Sequence, residues 1–504
     1  MTSITGRQGD RADRADRADR ADAADRADAA SGAAPLDPAD WEAFRALGHR
    51  MVDDMLDHLR TVRERPAWRP VPEDVRARLR APLPEFGVGE PAAYEAFTRD
   101  ILPYPIGNAH PRFWGWVIGS GTPLGALAEL LAATMNPNVS GIGGAPALVE
   151  AQTLEWLREM LGMPAGASGI LLSGGSMANL VGLAVGLADR AGFDVLEEGL
   201  ARAPKPPVLY ASAQTHFSVA KAARLLGLGN AGLRSIPVDA EFGIDEDALR
   251  DHIARDRAAG LQPFALVGNA GTVATGAFDD LGALADVAAA EELWFHVDGA
   301  FGAFATLVPE LAPLAAGMER ADAVAFDLHK WMLMPYEVGA VLLRDAAAHR
   351  RAFAAGAAYV SPMEGGPARY DVNFFERGPQ LSRGFRALKV WLQLTAFGVS
   401  AYRDVVRRNV EQARHLAALV DEHPALERVA PVPLNVVCFR VRGTDALNRA
   451  VLIRLQEAGI AVPTHAEIHG RFAIRVAITN HRTRVDDLDL LVRETARLGR
   501  ELAT

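Results

Sequence analysis

Between Gly121 and Arg344 the chain repeats one pattern, in which a short apolar run is followed by a turn and then by a helical stretch. The runs Gly169-Ile170-Leu171-Leu172, Pro207-Val208-Leu209-Tyr210, Phe264-Ala265-Leu266-Val267-Gly268, Leu293-Trp294-Phe295-His296-Val297 and Ala323-Val324-Ala325-Phe326 read as strands. Helices are expected from near Ser176, after His216 and over 281–291. Strands that are apolar throughout, rather than alternating, are buried on both faces. Separated by helices, they predict an α/β domain with a mostly parallel central sheet and helices on both faces. Ligands bind such sheets at the carboxyl ends of the strands. Polar residues collect just past those ends: Ser173 to Ser176, His216, Thr272, Asp298 and Lys330.

The flanks differ in composition. Residues 1–34 carry a decaying Arg-Ala-Asp triplet, whose period fits neither an amphipathic helix nor a strand, and read as a disordered or partly helical tail. Trp41, Phe44, Leu47, Met51, Met55 and Leu59 recur at helical spacing, proline-rich turns follow, and a further helix is expected over 91–101. This segment, 35–120, is too small and too apolar on one face to stand alone, which points to a partner surface and a dimer. The large domain is expected over 121–388. A helix over 385–397 leads into a smaller α+β domain, 389–504, with strands near 434–440 and 472–478 and helices near 444–458 and 485–498.

Composition excludes several classes. The net charge of −10, without a basic cluster mixed with aromatics, gives no sign of nucleic-acid binding. The single cysteine, Cys438, excludes an internal disulfide framework and a cysteine-based metal site, and its apolar neighbours make it a core thiol. No apolar run reaches the roughly 18 residues of a membrane span, and no apolar leader directs export, so a cytoplasmic protein without a metal centre is expected.

Lysine is scarce, with only Lys205, Lys221, Lys330 and Lys389 against many arginines. Lys330 nevertheless stands in Phe326-Asp327-Leu328-His329-Lys330-Trp331, downstream of Asp298 in His296-Val297-Asp298-Gly299-Ala300. Arginine cannot deprotonate and so cannot form an imine. Enzymes that use pyridoxal 5′-phosphate (PLP) need a lysine for a Schiff base and an acid beside the pyridine nitrogen. The turn Ser173-Gly174-Gly175-Ser176 suits a phosphate, since glycines admit close backbone approach and Ser176 is expected to cap a helix. Such a turn is equally a structural commonplace. Asp298 alone could be a strand-end cap, His216 alone a structural imidazole and Lys330 alone a surface ion pair. Their joint order along the chain is what points to PLP.

These runs, with His110-Pro111-Arg112-Phe113-Trp114-Gly115-Trp116, Ser382-Arg383-Gly384-Phe385-Arg386-Ala387-Leu388-Lys389 and Arg475-Val476-Ala477-Ile478-Thr479-Asn480-His481-Arg482-Thr483, resemble the group II PLP-dependent amino-acid decarboxylases from about Trp41 to the C-terminus. The resemblance implies a PLP-dependent transferase fold of the aspartate-aminotransferase type (fold type I). It implies Lys330 as Schiff-base lysine, Asp298 as pyridinium partner and His216 as the stacking residue. Gly175, Ser176 and His329 would hold the phosphate, Thr272 would lie near cofactor or substrate carboxylate, and Ala300 would pack on the ring. Tyr359 would be the catalytic tyrosine of a mobile loop flanked by Gly356, Gly365 and Gly366. Phe113, Trp114 and Trp116 would line the substrate pocket, which favours an aromatic L-amino acid. Asp327 stands where many relatives have asparagine; a carboxylate beside a phosphate is unfavourable unless it points away, so it is not expected to be a phosphate ligand. A homodimer with active sites at the subunit interface is also implied. Acidic, aliphatic or diamino acid substrates, an oxygen-dependent aldehyde synthase and an aminotransferase remain alternatives. Intact Lys330, Asp298, His216 and Tyr359 argue against a silent interaction protein.

Overall fold

The structure is a computed structural model that describes residues 36–141, 144–355, 363–366 and 372–503. By internal contacts the chain divides into two units, Met1–Thr61 with Leu83–Phe97, and Val62–Pro82 with Thr98–Thr504. The segment expected as one piece over 35–120 is thus shared between both. In the first unit, helix Trp41–Arg60 starts where the Asp40 carboxylate accepts from the amides of Glu42 and Ala43. The Tyr94 hydroxyl donates to Asp54 at 2.7 Å, and Arg50 lies over the Tyr94 ring.

The second unit is built on a seven-stranded sheet. Its strands are β1 (Ser168–Leu172), β2 (Pro207–Ser212), β3 (Leu233–Ile236), β4 (Gln262–Asn269), β5 (Trp294–Asp298), β6 (Ala323–Asp327) and β7 (Gly339–Leu343), in the order β1-β7-β6-β5-β4-β2-β3. β7 runs antiparallel between β1 and β6, and every other pairing is parallel. Every residue of β1, β2, β5, β6 and β7 is buried, which is why β1, β2, β5 and β6 read as apolar runs. The two strands that sequence reasoning did not single out are β3 and β7.

Alternation along β5 sets the two faces. Trp294, His296 and Asp298 face helix Gly175–Arg190, and Gly182 and Gly186 let the helix come close. A Cβ on Gly182 would meet the His296 ring at 2.6 Å, and one on Gly186 would meet Trp294 at 2.5 Å. Phe295 points the other way, with Leu281 and Leu284 of helix Leu281–Ala290. The helix start is thereby held low over the carboxyl ends of β5 and β6.

Helix Arg386–Glu422 is broken at Gly398, whose φ is 66°. It leads to a four-stranded antiparallel sheet of β8 (Leu426–Arg428), β9 (Val436–Val441), β10 (Thr464–Ile468) and β11 (Arg471–Ala477), in the order β10-β11-β9-β8. Helices Asp445–Glu457 and Val485–Leu502 pack with it around a separate apolar core that includes Leu416, Val437, Phe439, Ile474 and Leu488. Among the described residues no helix is long and apolar enough to cross a membrane.

Candidate active site

The turn after β1 passes directly into helix Gly175–Arg190, and its first residue inside the helix is Gly175. The expectation that Ser176 caps this helix is corrected: Gly174 is the N-cap, without a side-chain bond, and Ser176 is exposed in the first turn. The Gly175 amide is already engaged, donating to Asp327 Oδ1 at 2.6 Å. A Cβ on Gly175 would press on Asp327 Oδ2 at 2.8 Å and on the Ala300 methyl at 3.1 Å, so this close approach requires glycine.

Asp298 ends β5 at 6 % exposure. Its Oδ1 accepts from the Ala300 amide at 3.1 Å and its Oδ2 from Asn179 Nδ2 at 2.8 Å. Asn179 Nδ2 also reaches Ser218 Oγ at 3.0 Å, and Ser218 Oγ lies 2.8 Å from His216 Nδ1. On its other side, Asn179 Oδ1 accepts from His296 Nε2 at 2.8 Å. His216 is the N-cap of helix Phe217–Leu225, and its Nδ1 accepts from the Ser218 amide. With Nδ1 an acceptor, the proton of a neutral ring sits on Nε2. Burial pulls the His216 pKa down, and Lys330 and Lys221 add to that; Asp298 and Asp327 oppose it, so four charges act on one imidazole.

Lys330 lies in the connection between β6 and β7, closed by the amides of Leu328 and His329 donating to the Val338 carbonyl. Its Nζ sits 2.8 Å from Asp327 Oδ2. His329 Nδ1 accepts from the Val338 amide, which leaves its Nε2 proton toward Asp327 Oδ1 at 3.7 Å. Burial lowers the His329 pKa. The Asp327 carboxylate points into the turn and holds it.

Thr272 is buried, with its hydroxyl 3.1 Å from that of Thr275. The same turn supplies Val273 and Ala274 to a cavity of about 610 Å³, lined also by Trp116, Leu452, Ile453, Thr464, Phe472 and Arg475. Of the three aromatics expected in a substrate pocket, Trp116 lines this cavity and is 51 % exposed. Phe113 and Trp114 are corrected to core positions. Phe113 packs with Ala67 and Val462, and Trp114 packs in the C-terminal core with its Nε1 donating to Thr483 Oγ1. Arg112 is turned away, donating to the Ile460 carbonyl. Arg475, not singled out for a role from sequence, is buried in the cavity wall. Its Nε and Nη1 donate to the carbonyls of Ala274 and Trp116, while Nη2 has no partner among the described residues. Burial lowers its pKa to about 10, with the nearby Cys438 thiol opposing it. Tyr359 and Gly356 lie outside the described residues.

Asn179, Ser218, His296 and Arg475 are the polar residues that sequence reasoning left without a role. The first three are ordinary helix and strand residues by spacing, and only the packing of helix Gly175–Arg190 on β5 connects them. Arg475 carried a usable signal, as an arginine inside an otherwise apolar strand.

A half-buried amine, a strand-end carboxylate, two imidazoles and a glycine turn at a helix start, on a mostly parallel sheet, define a cofactor-dependent α/β enzyme. The pyridoxal-dependent decarboxylase conserved domain matches residues 91–442, and the chain belongs to that family. It is 32% identical over 473 residues to an aromatic-L-amino-acid decarboxylase of Bacillus atrophaeus, covering 92% of this chain and 96% of the relative. It is 29% identical over 483 residues to a phenylacetaldehyde synthase of Petunia hybrida, covering 90% and 93%. The crystal structure of Oryza sativa TDC with PLP and tryptamine superposes with a TM-score of 0.85 at 26% identity, over 93% of this chain and 100% of that one. The protein is a PLP-dependent amino-acid decarboxylase.

Proposed function

We propose that this decarboxylase acts on an aromatic L-amino acid, releasing the corresponding amine and carbon dioxide. The observation that carries the aromatic reading is the cavity wall in which Trp116 stands with Val273, Leu452, Ile453 and Phe472, an apolar surface suited to a flat ring.

The donor set suits PLP. Lys330 would hold the cofactor as a Schiff base, and Asp298, oriented by Asn179 and the Ala300 amide, would accept from the pyridine nitrogen. The exposed first turn at Ser176 and the Nε2 proton of His329 would hold the phosphate, with Gly175 giving the close approach. His216 would stack on one face of the ring, with Ala300 on the other, and Thr272 would face the substrate carboxylate. When bound, PLP supplies the electron sink for the pair left on Cα as carbon dioxide departs. His216, carrying its proton on Nε2, would return a proton to Cα together with Tyr359. Keeping water and oxygen from that carbon favours amine over aldehyde. The working form would be a homodimer with active sites at the shared interface, a reading supported by the exposed Trp41, Phe44 and Leu56 on the first helix.

Arg475 favours a second reading. Its unpaired Nη2 in the cavity wall would suit an acidic side chain, as a charge-assisted pair. Incubating the PLP-loaded protein with aromatic, acidic, aliphatic and diamino L-amino acids, followed by mass spectrometry, separates these. An amine from an aromatic acid is expected. Amine from glutamate or aspartate alone would overturn the aromatic reading, and aldehyde with oxygen uptake would reassign the reaction to the synthase type.

A further inference from the structure

Asp327 is a carboxylate in a place that the cofactor's phosphate would share. It ends β6 at 2 % exposure. Oδ1 accepts from the Gly175 amide at 2.6 Å, and Oδ2 pairs with Lys330 Nζ at 2.8 Å. The side chain is held by packing as well as by charge. Gly339 lies opposite it in the β6–β7 register, and a Cβ there would come within 2.6 Å of Oδ1. A Cβ on Gly175 would come within 2.8 Å of Oδ2. Both neighbours are glycines, and the carboxylate fills the space their missing side chains leave.

The consequence is electrostatic. A helix start favours an anion because its amides have no partners in the helix. Here one of those amides, and the amine that would bond to PLP, are both already committed to a resident anion. A phosphate arriving at the Gly175 amide meets a fixed charge already 2.6 Å from that amide, on a carboxylate whose own burial limits its screening by water. An asparagine at 327 would accept from the Gly175 amide equally well through its carbonyl and would bring no charge.

We infer that Asp327 is an internal anion that competes with the phosphate of PLP for the start of helix Gly175–Arg190, so that the cofactor-free protein is a self-neutralised resting state and the phosphate contributes little to cofactor affinity. This rests on the reading that Lys330 carries PLP.

Two measurements on cofactor-free protein test it. The first titrates the unsubstituted protein with PLP and with pyridoxal, which has the aldehyde but no phosphate, and reads tryptophan fluorescence. A preference for PLP below about a hundredfold is expected, and a preference above about a thousandfold would overturn the proposal. The second repeats both titrations with Asp327→Asn. Loss of the Lys330 ion pair acts on both aldehydes alike, whereas loss of the charge acts on the phosphate alone. The preference for PLP over pyridoxal is therefore expected to rise by about tenfold or more. An equal or smaller preference in the variant would mean that the carboxylate only braces the turn, and the proposal would fall. Borohydride reduction and peptide mass spectrometry separate this from the cofactor reading: label on Lys330 upholds that reading whatever the titrations give, and label on Lys205, Lys221 or Lys389 overturns both.

Discussion

Asn179 Nδ2 bridges Asp298 Oδ2, at 2.8 Å, and Ser218 Oγ, at 3.0 Å, so a single amide ties the end of β5 to the hydroxyl that meets His216. Because Asn179 Oδ1 also accepts from His296 Nε2, one side chain orients a carboxylate and relates it to two imidazoles.

Asn179→Leu keeps the volume but leaves Asp298 Oδ2, Ser218 and His296 each short of a partner. Buried groups left unpaired cost about 1–3 kcal/mol apiece. Urea unfolding of the cofactor-free variant is expected to show a loss of about 3 kcal/mol, together with weaker PLP binding by titration. Stability and PLP affinity both equal to the parent's would show that the network does not orient Asp298.

Lys330→Ala removes the amine and leaves Asp327 Oδ2 without its ion partner. The variant is expected to lose the visible absorbance of PLP held as a Schiff base and all decarboxylation. Borohydride-stable cofactor on the variant would place the covalent bond elsewhere.

Gly186→Ala sets two effects against each other. Alanine in a helix interior gains about 1 kcal/mol over glycine. The added Cβ would, however, meet the Trp294 ring at 2.5 Å, and overpacking a core costs about 1–3 kcal/mol. Net destabilisation is expected, seen as a lower Tm; a raised Tm would show that helix Gly175–Arg190 can lift from β5 freely.

Burial lowers the pKa of His110, His296, His349 and His481 to about 4, from an ordinary value near 6.5. Between pH 6.5 and 4 the unfolded chain binds protons that the folded one excludes, so stability rises with pH across that window and is lost as pH falls through it. The completely buried His296 and His349 would each contribute about 3 kcal/mol of that loss by pH 4. Urea midpoints are expected to fall from pH 7 to pH 5, with a further loss toward pH 4. A flat profile over pH 4–7 would contradict the burial of these rings as neutral groups.

Much of the fold was legible because β1, β2, β4, β5 and β6 are buried on both faces and therefore apolar throughout. β3 was missed because it is a four-residue strand that is only partly buried. β7, Gly339–Leu343, was not singled out because no helix separates it from β6; its antiparallel insertion is decided by the turn that carries Lys330. Lys330, Asp298 and His216 were legible as strand-end residues in a known order. Phe113 and Trp114 were misread because an aromatic run has the same appearance in a core and in a cavity wall. Asp327 was set aside on electrostatic grounds, yet the glycines at 175 and 339 leave room for a carboxylate, and the Gly175 amide and Lys330 stabilise it.

The sequence by itself determined the α/β class, the family and the order in which an amine, a carboxylate and an imidazole arrive at strand ends, since burial on both faces and reactive side-chain chemistry leave local marks. Only the tertiary structure decided which helix amide meets Asp327, which side chain orients Asp298 and which arginine stands in the cavity wall. Those contacts join residues more than a hundred positions apart, and their energies depend on distances of a few ångströms that no local pattern encodes.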